Sequence, residues 1–447
     1  MLSACAGAVH AQSELPAAFV ANNGNIEGSV TSFTIDAQGV PTFVQKLITG
    51  SGSGSPGNNA YSISITPNGR LLAASHATAA GITEKVTIIR VNPDATMTQL
   101  GQFNTPDSPL DLQWLSDTHI AVTETKSSGT NRVRVYSFDE ASLAWTLVDT
   151  ETTTNFTSKI TLMNDGRFLY AQQSPLQGSG AVTAFSVDAA TGQLTFQGVV
   201  GTNGYPLGPG TTPDGRFLYA AGGISGNILH GFTIDPVTGV LTEIPGMPFS
   251  TPDSSPKQCV GSPDGNFLYV GHGSASTVRA FSIDQATGSL ASLPYVFDVG
   301  IQGALGDIAV LRLPTRDLLL FTDKDYSTIP SNNNFKGLFS YTINTDGSFT
   351  QNAPLLETQG VSPNDISVWA GAGGLACDTI DFNGDGLLPD VLDIQDFLSV
   401  FAGGVCDGQL PTDPPCSTDI DFNNDGLFPD TLDISSLVSV FGGGACL

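Results

Sequence analysis

GSPDGNFLYVGHGSASTVRAFSIDQATGSLASL, residues 261–293, carries the fold in one line. Pro263-Asp264-Gly265 reads as a turn, Phe267–Val270 as a strand, Val278–Ile283 as a second, alternating strand, and Thr287-Gly288 as the turn into a third. The second half of this line recurs from Val30, Val86, Val133, Val182, Leu229, Val278 and Leu338, with Asp or Asn anchors at 36, 92, 139, 188, 235, 284 and 344. The first half recurs from residues 64, 161, 211 and 261, with weaker versions at 112–124 and 310–323. Four strands per repeat at a period near 48 residues predict an all-β seven-bladed β-propeller, six or eight blades being the alternatives. The first copy begins at the strand Phe19–Asn22, and its missing partner stands at the far end, in Ser362–Trp369. The ring is therefore expected to close by pairing the last strand of the repeat region with the first.

A second repeat follows. DFNGDGLLPDVLDIQDFLSVF (381–401) and DFNNDGLFPDTLDISSLVSVF (421–441) are identical at 14 of 21 positions. Asp381, Asn383 and Asp385 offer alternating oxygens before the turn at Gly386; Asp421, Asn423, Asp425 and Gly426 repeat the pattern. A hard cation that takes six to eight oxygens is served by this loop, so two Ca²⁺ ions are expected, with the backbone of Leu387 and Leu427 at the seventh position. Position twelve is Leu392 or Leu432, and the acid follows one residue later, at Asp393 and Asp433. Position nine is Pro389 or Pro429, so the neighbouring Asp390 and Asp430 are the expected ligands. Ile394, Phe397, Leu398 and Phe401 then recur at helical spacing, as do Ile434, Leu437, Val438 and Phe441, giving one short helix per loop.

The formal net charge is −26, and residues 376–447 contribute thirteen aspartates with no Glu, Lys or Arg. That balance argues against nucleic acid or an anionic membrane as partner. Cys377, Cys406, Cys416 and Cys446 flank the two loops, which reads as a disulfide-stapled, extracytoplasmic module whose connectivity stays open among three pairings. Residues 1–15 read as a truncated signal segment cut near Ala11, with lipidation at Cys5 as the alternative. The propeller then spans 16–369, a Gly/Ala linker 370–376, and the calcium module 377–447. No apolar run reaches the length of a membrane span.

The tail resembles dockerins, tandem loop–helix modules that bind cohesin-type receptors, in the variety in which cysteines bracket each unit. The resemblance implies a cohesin-like or other extracellular or envelope partner, and a secreted or cell-surface protein. The phrases SPDGxFLYV, VxxFxID and TGxL resemble lactonase-type propellers, the group that includes propeller 6-phosphogluconolactonases and YncE-like proteins. In that group an Arg-His pair follows the proline of PRHxxFSPDG, and a glutamate follows YVxN. Here the Arg-His positions hold Lys257-Gln258, Leu110-Asp111, Ser158-Lys159, Leu207-Gly208 and Asn364-Asp365; the glutamate positions hold no Glu, Glu124 lying one place early. Lys257, Asp365, Asp111 and Lys159 are thus the candidate channel residues. His76 and His272 are a candidate metal pair, and Cys259 is expected in the core. The leading expectation is a non-catalytic scaffold for a protein, small-molecule or carbohydrate ligand, held in place by the calcium module. The rival is a sugar-lactone hydrolase with the same dock.

Overall fold

The computed structural model describes residues 15–371 apart from 25–26, 51–58, 78–83, 126–130, 175–178, 204–206, 224–225, 299–304 and 325–336. Beyond these it describes 394–395, 397–399, 434 and 436–437. Seven antiparallel sheets succeed one another. Their first strands are Ala60–Ile65, Ser108–Trp114, Thr157–Leu162, Leu207–Thr211, Pro256–Gly261, Leu305–Leu313 and Pro363–Trp369, numbered here as the inner strands of blades 1 to 7. Each of these strands touches the inner strand of the next blade, and that of blade 7 touches blade 1, so they line one central channel. Blade 7 is built from both ends of the repeat region: Pro363–Trp369 pairs with Ala17–Asn23, with Ala17 opposite Trp369 and Ala21 opposite Asp365. The expected closure is therefore the observed one.

Seven apolar clusters hold the ring together, one between each pair of neighbouring blades. The alternation of each strand sends successive side chains to opposite neighbours: Phe168 and Tyr170 pack toward blade 4, and Leu169 and Ala171 toward blade 2. The recurring FLY and TG phrases acquire a joint meaning here. Tyr170, Tyr219 and Tyr269 donate their hydroxyls to the carbonyls of Gly239, Gly288 and Gly347 in the following blade, at 3.0, 2.7 and 3.2 Å. Those glycines have φ near +71, +72 and +82°. A Cβ on them would lie 2.3–2.6 Å from Phe168, Phe217 and Phe267. Only glycine supplies both the left-handed turn and the room for the neighbour's ring.

Residues Gly373–Leu447 form a separate compact unit. Its described residues, among them Ile394, Phe397–Ser399, Ile434, Ser436 and Leu437, are helical. Phe397 and Leu437 are buried, as the apolar face requires, whereas Leu398, placed on that face by its spacing, is 44% exposed. The twelve expected calcium positions and the four flanking cysteines lie outside the described residues. Among the described residues no helix is long and apolar enough to cross a membrane.

Candidate active site in the central channel

Strand pairing aligns the inner strands residue by residue. The positions opposite the ends of the second strands are Ala60, Pro109, Thr157, Leu207, Pro256, Leu305 and Pro363. Two residues further along stand Ser62, Asp111, Lys159, Pro209, Gln258, Asp307 and Asp365, one per blade. The candidates from the sequence thus converge, although they lie on blades 2, 3, 5 and 7. Lys257 stands one step nearer the strand start, level with Asn364, so Gln258 and not Lys257 shares the level of Asp365.

Lys159 reaches three carboxylates from three other blades. Its Nζ lies 2.9 Å from Asp365 Oδ1, 3.3 Å from Asp307 Oδ2 and 3.6 Å from Asp111 Oδ1. Burial disfavours its charge, but the three carboxylates outweigh burial and hold it well above the ordinary lysine range. The carboxylates also fasten neighbouring blades. Asp111 accepts from Ser62 Oγ at 2.6 Å and from the Ile160 amide at 2.8 Å. Asp365 accepts from the Ile63 amide at 2.9 Å. Burial raises Asp111 to about 6, opposed by Lys159. Burial would likewise raise Asp365, yet Lys159 and a hydrogen bond shared with Asp307 hold it well below the carboxylate range.

Asp307 and Lys324 complete the group and escaped the sequence reading. Lys324 follows the second strand of blade 6 and donates to Asn364 Oδ1. Lys257 donates to the carbonyls of Gly306 at 2.6 Å and Leu305 at 3.3 Å. Burial lowers Lys257 to about 8 and Lys324 to about 7. Both amines are therefore poised to exchange protons near neutrality. An ammonium has three N–H donors, so two fixed carbonyls orient Lys257 and leave it one donor for a ligand.

The second strands end in a ring formed by Asn22, His76, Glu124, Gln173, Ala221, His272 and Asp323, all buried. Glu124 shares this level with His272, and its carboxylate is taken by Arg134 and Tyr136. His76 contacts Thr87 Oγ1 at 3.0 Å, and burial pulls His272 down to about 4, leaving it neutral. Among the described residues no group of three His, Cys, Asp or Glu side chains is placed to hold a metal. Cys259 lies in the core between blades 4 and 5, its Sγ 3.1 Å from the Tyr219 carbonyl, and burial pushes its thiol up to about 12. Such a thiol is no nucleophile.

A ring of seven sheets around a charged channel defines the class of protein. The family model described as "Lactonase, 7-bladed beta-propeller" matches residues 130–247 and 211–304. The periplasmic gluconolactonase PpgL of Pseudomonas aeruginosa superposes with a TM-score of 0.61 at 18% identity, covering 80% of this chain and 99% of that one. A protein from Lactobacillus plantarum gives 0.58 at 17%, covering 79% and 99%, and one from Desulfotomaculum acetoxidans 0.56 at 17%, covering 79% and 98%. At such identities the likeness is one of fold. No curated protein matches the sequence significantly.

Proposed function

We propose that the propeller hydrolyses a lactone-type cyclic ester, with the central channel as its active site. The observation that carries this reading is the convergence of Lys257, Lys324, Asp307 and Asp365 at one place in the channel. Ester hydrolysis needs a base for the attacking water and a cation where the oxyanion develops. The carboxyl group of the cluster supplies the first, and the remaining N–H of Lys257 the second. The lactonase family match and the gluconolactonase among the structural neighbours support a sugar lactone as the substrate class. The periplasmic neighbour and the cysteine-flanked tail support an extracytoplasmic location. The Arg-His-Glu set of lactonase-type propellers is absent from the matched positions, so the chemistry rests on the lysines and aspartates present. The full chain should accelerate glucono-lactone hydrolysis over buffer, and Lys257→Met should lower kcat/KM by about 10²–10³-fold, the cost of one oxyanion donor. A wild-type rate no faster than buffer across a panel of sugar lactones would sink the reading.

The C-terminal unit we read as a calcium-dependent dock for an extracellular protein. Its support is the duplicated loop chemistry of Asp381, Asn383, Asp385, Asp390 and Asp393 and of their counterparts from Asp421 to Asp433. Calorimetry on EDTA-stripped full chain should resolve two calcium-binding events, both lost in the Asp381→Ala/Asp421→Ala double variant. Absence of any calcium response in the wild type rules the module out.

A further inference from the structure

Asp307 differs from its two neighbours in the donors it receives. Asp111 accepts from a hydroxyl and an amide of two adjoining blades, and Asp365 from one amide and the closest contact of Lys159. Asp307 accepts its own following amide, Ile308 N, at 2.8 Å, and the longer Lys159 contact at 3.3 Å. It is 7% exposed. Its Oδ2 lies 3.3 Å and Asp365 Oδ1 lies 2.9 Å from the same Lys159 Nζ, so one ammonium draws the two carboxyl groups together. Two carboxylates cannot donate to each other, so a hydrogen bond between them requires that one carry a proton. Burial disfavours charge on Asp307 and Asp365 adds to this, against the pull of Lys159 and Lys257, which favours the same outcome. The charged groups acting on Asp307 are Lys159 across the channel, Lys257 on blade 5 and Asp365 on blade 7.

We propose that Asp307 and Asp365 are a proton-sharing carboxyl pair, with the proton on Asp307, and that this pair is the general acid and base of the channel. The reaction rests on the lactonase reading; the shared proton does not. In hydrolysis a water oxygen bonds to the lactone carbonyl carbon while its proton passes to Asp365. The carbonyl π pair moves onto oxygen, facing Lys257. That pair then returns, the ring C–O bond breaks, and the departing ring oxygen takes the proton of Asp307. The proton on Asp365 crosses the shared hydrogen bond to Asp307, which restores the pair, and a hydroxy acid leaves. Like-charged carboxyl groups at close range separate into one acid and one base in this way.

The experiment is carboxyl-carbon NMR on the full chain labelled at aspartate, with glucono-lactone turnover measured on the same samples. One aspartate carboxyl should remain protonated at neutral pH, vanish in Asp307→Asn and persist in Asp111→Asn. Asp307→Asn keeps the shape and neutrality of the protonated acid, so it should fold, while kcat falls about 10²-fold or more. Complete ionisation of all aspartates at neutral pH overturns the proposal, as does survival of the protonated signal in Asp307→Asn. Wild-type kcat in Asp307→Asn overturns the catalytic role alone. A protonated carboxyl in a wild type without lactone turnover supports the pair and defeats the lactonase reading instead.

Discussion

Lys159→Met is expected to cost the propeller roughly 3–5 kcal/mol, the scale for removing one partner of a buried ionic group. Methionine matches the length of the aliphatic stem but supplies no charge. Asp111, Asp307 and Asp365 would then face one another on an inner ring where Asp111 and Asp365 also hold the amides of Ile160 and Ile63. Those amide bonds join blade 2 to blade 3 and blade 7 to blade 1, so the damage falls on blade-to-blade contacts, including the closure itself. The pH dependence gives the test a sign. In the wild type Asp365 is held below its ordinary value, so its contribution is full above the unfolded carboxyl range and is lost as pH falls through the lower native value. Without Lys159 the three carboxyl groups instead take up protons more readily than in the unfolded chain. The variant's deficit should therefore be largest at neutral pH and shrink toward pH 4. Urea unfolding at both pH values measures it. Equal midpoints for variant and wild type at neutral pH would show that Lys159 holds nothing.

The sequence carries the blades because each blade repeats its own instructions. Phe168, Phe217 and Phe267, with the tyrosines two residues on, each meet a turn glycine of the following blade. The closing strand was legible for the same reason, since Pro363-Asn364-Asp365 repeats the start of an inner strand. Asp111, Lys159, Lys257 and Asp365 were legible as positions, but their convergence was not: it depends on a ring that brings residues 254 apart in sequence, Asp111 and Asp365, onto one ammonium. Asp307 was missed for a local reason. Its strand starts with Leu305 where blades 2, 5 and 7 have proline, and its hairpin is two residues longer: Ile308 pairs with Phe321, against Ile63 with Ala74 in blade 1. Lys324, one residue past the end of that hairpin, was displaced with it. His76 and His272, which the sequence offers only as a minor candidate for a metal pair, are both buried at the ends of their strands.

Lys324→Met should stabilise the protein and disable it. The side chain is 7% exposed, and burial lowers it from 10.5 to about 7. At ~1.4 kcal/mol per unit, a displacement of this size means that burying the ammonium works against folding by several kcal/mol. The sign follows from the unfolded chain binding the extra proton: the penalty is absent above pH 10.5, grows as pH falls toward 7, and is complete below it. Methionine keeps the stem and removes the charge, though Asn364 Oδ1 loses the donor that Lys324 provides. Allowing for that bond and for imperfect packing, the gain at pH 7 should be about 2 kcal/mol, read as a higher urea midpoint. A residue kept for structure would behave in the opposite way, its loss lowering stability. On the lactonase reading the Lys324 amine serves the bound lactone, and turnover of glucono-lactone should fall about 10²-fold in the same variant. Lower stability with undiminished turnover would place Lys324 among the structural groups of the ring and confine the chemistry to Lys257 and the carboxyl pair.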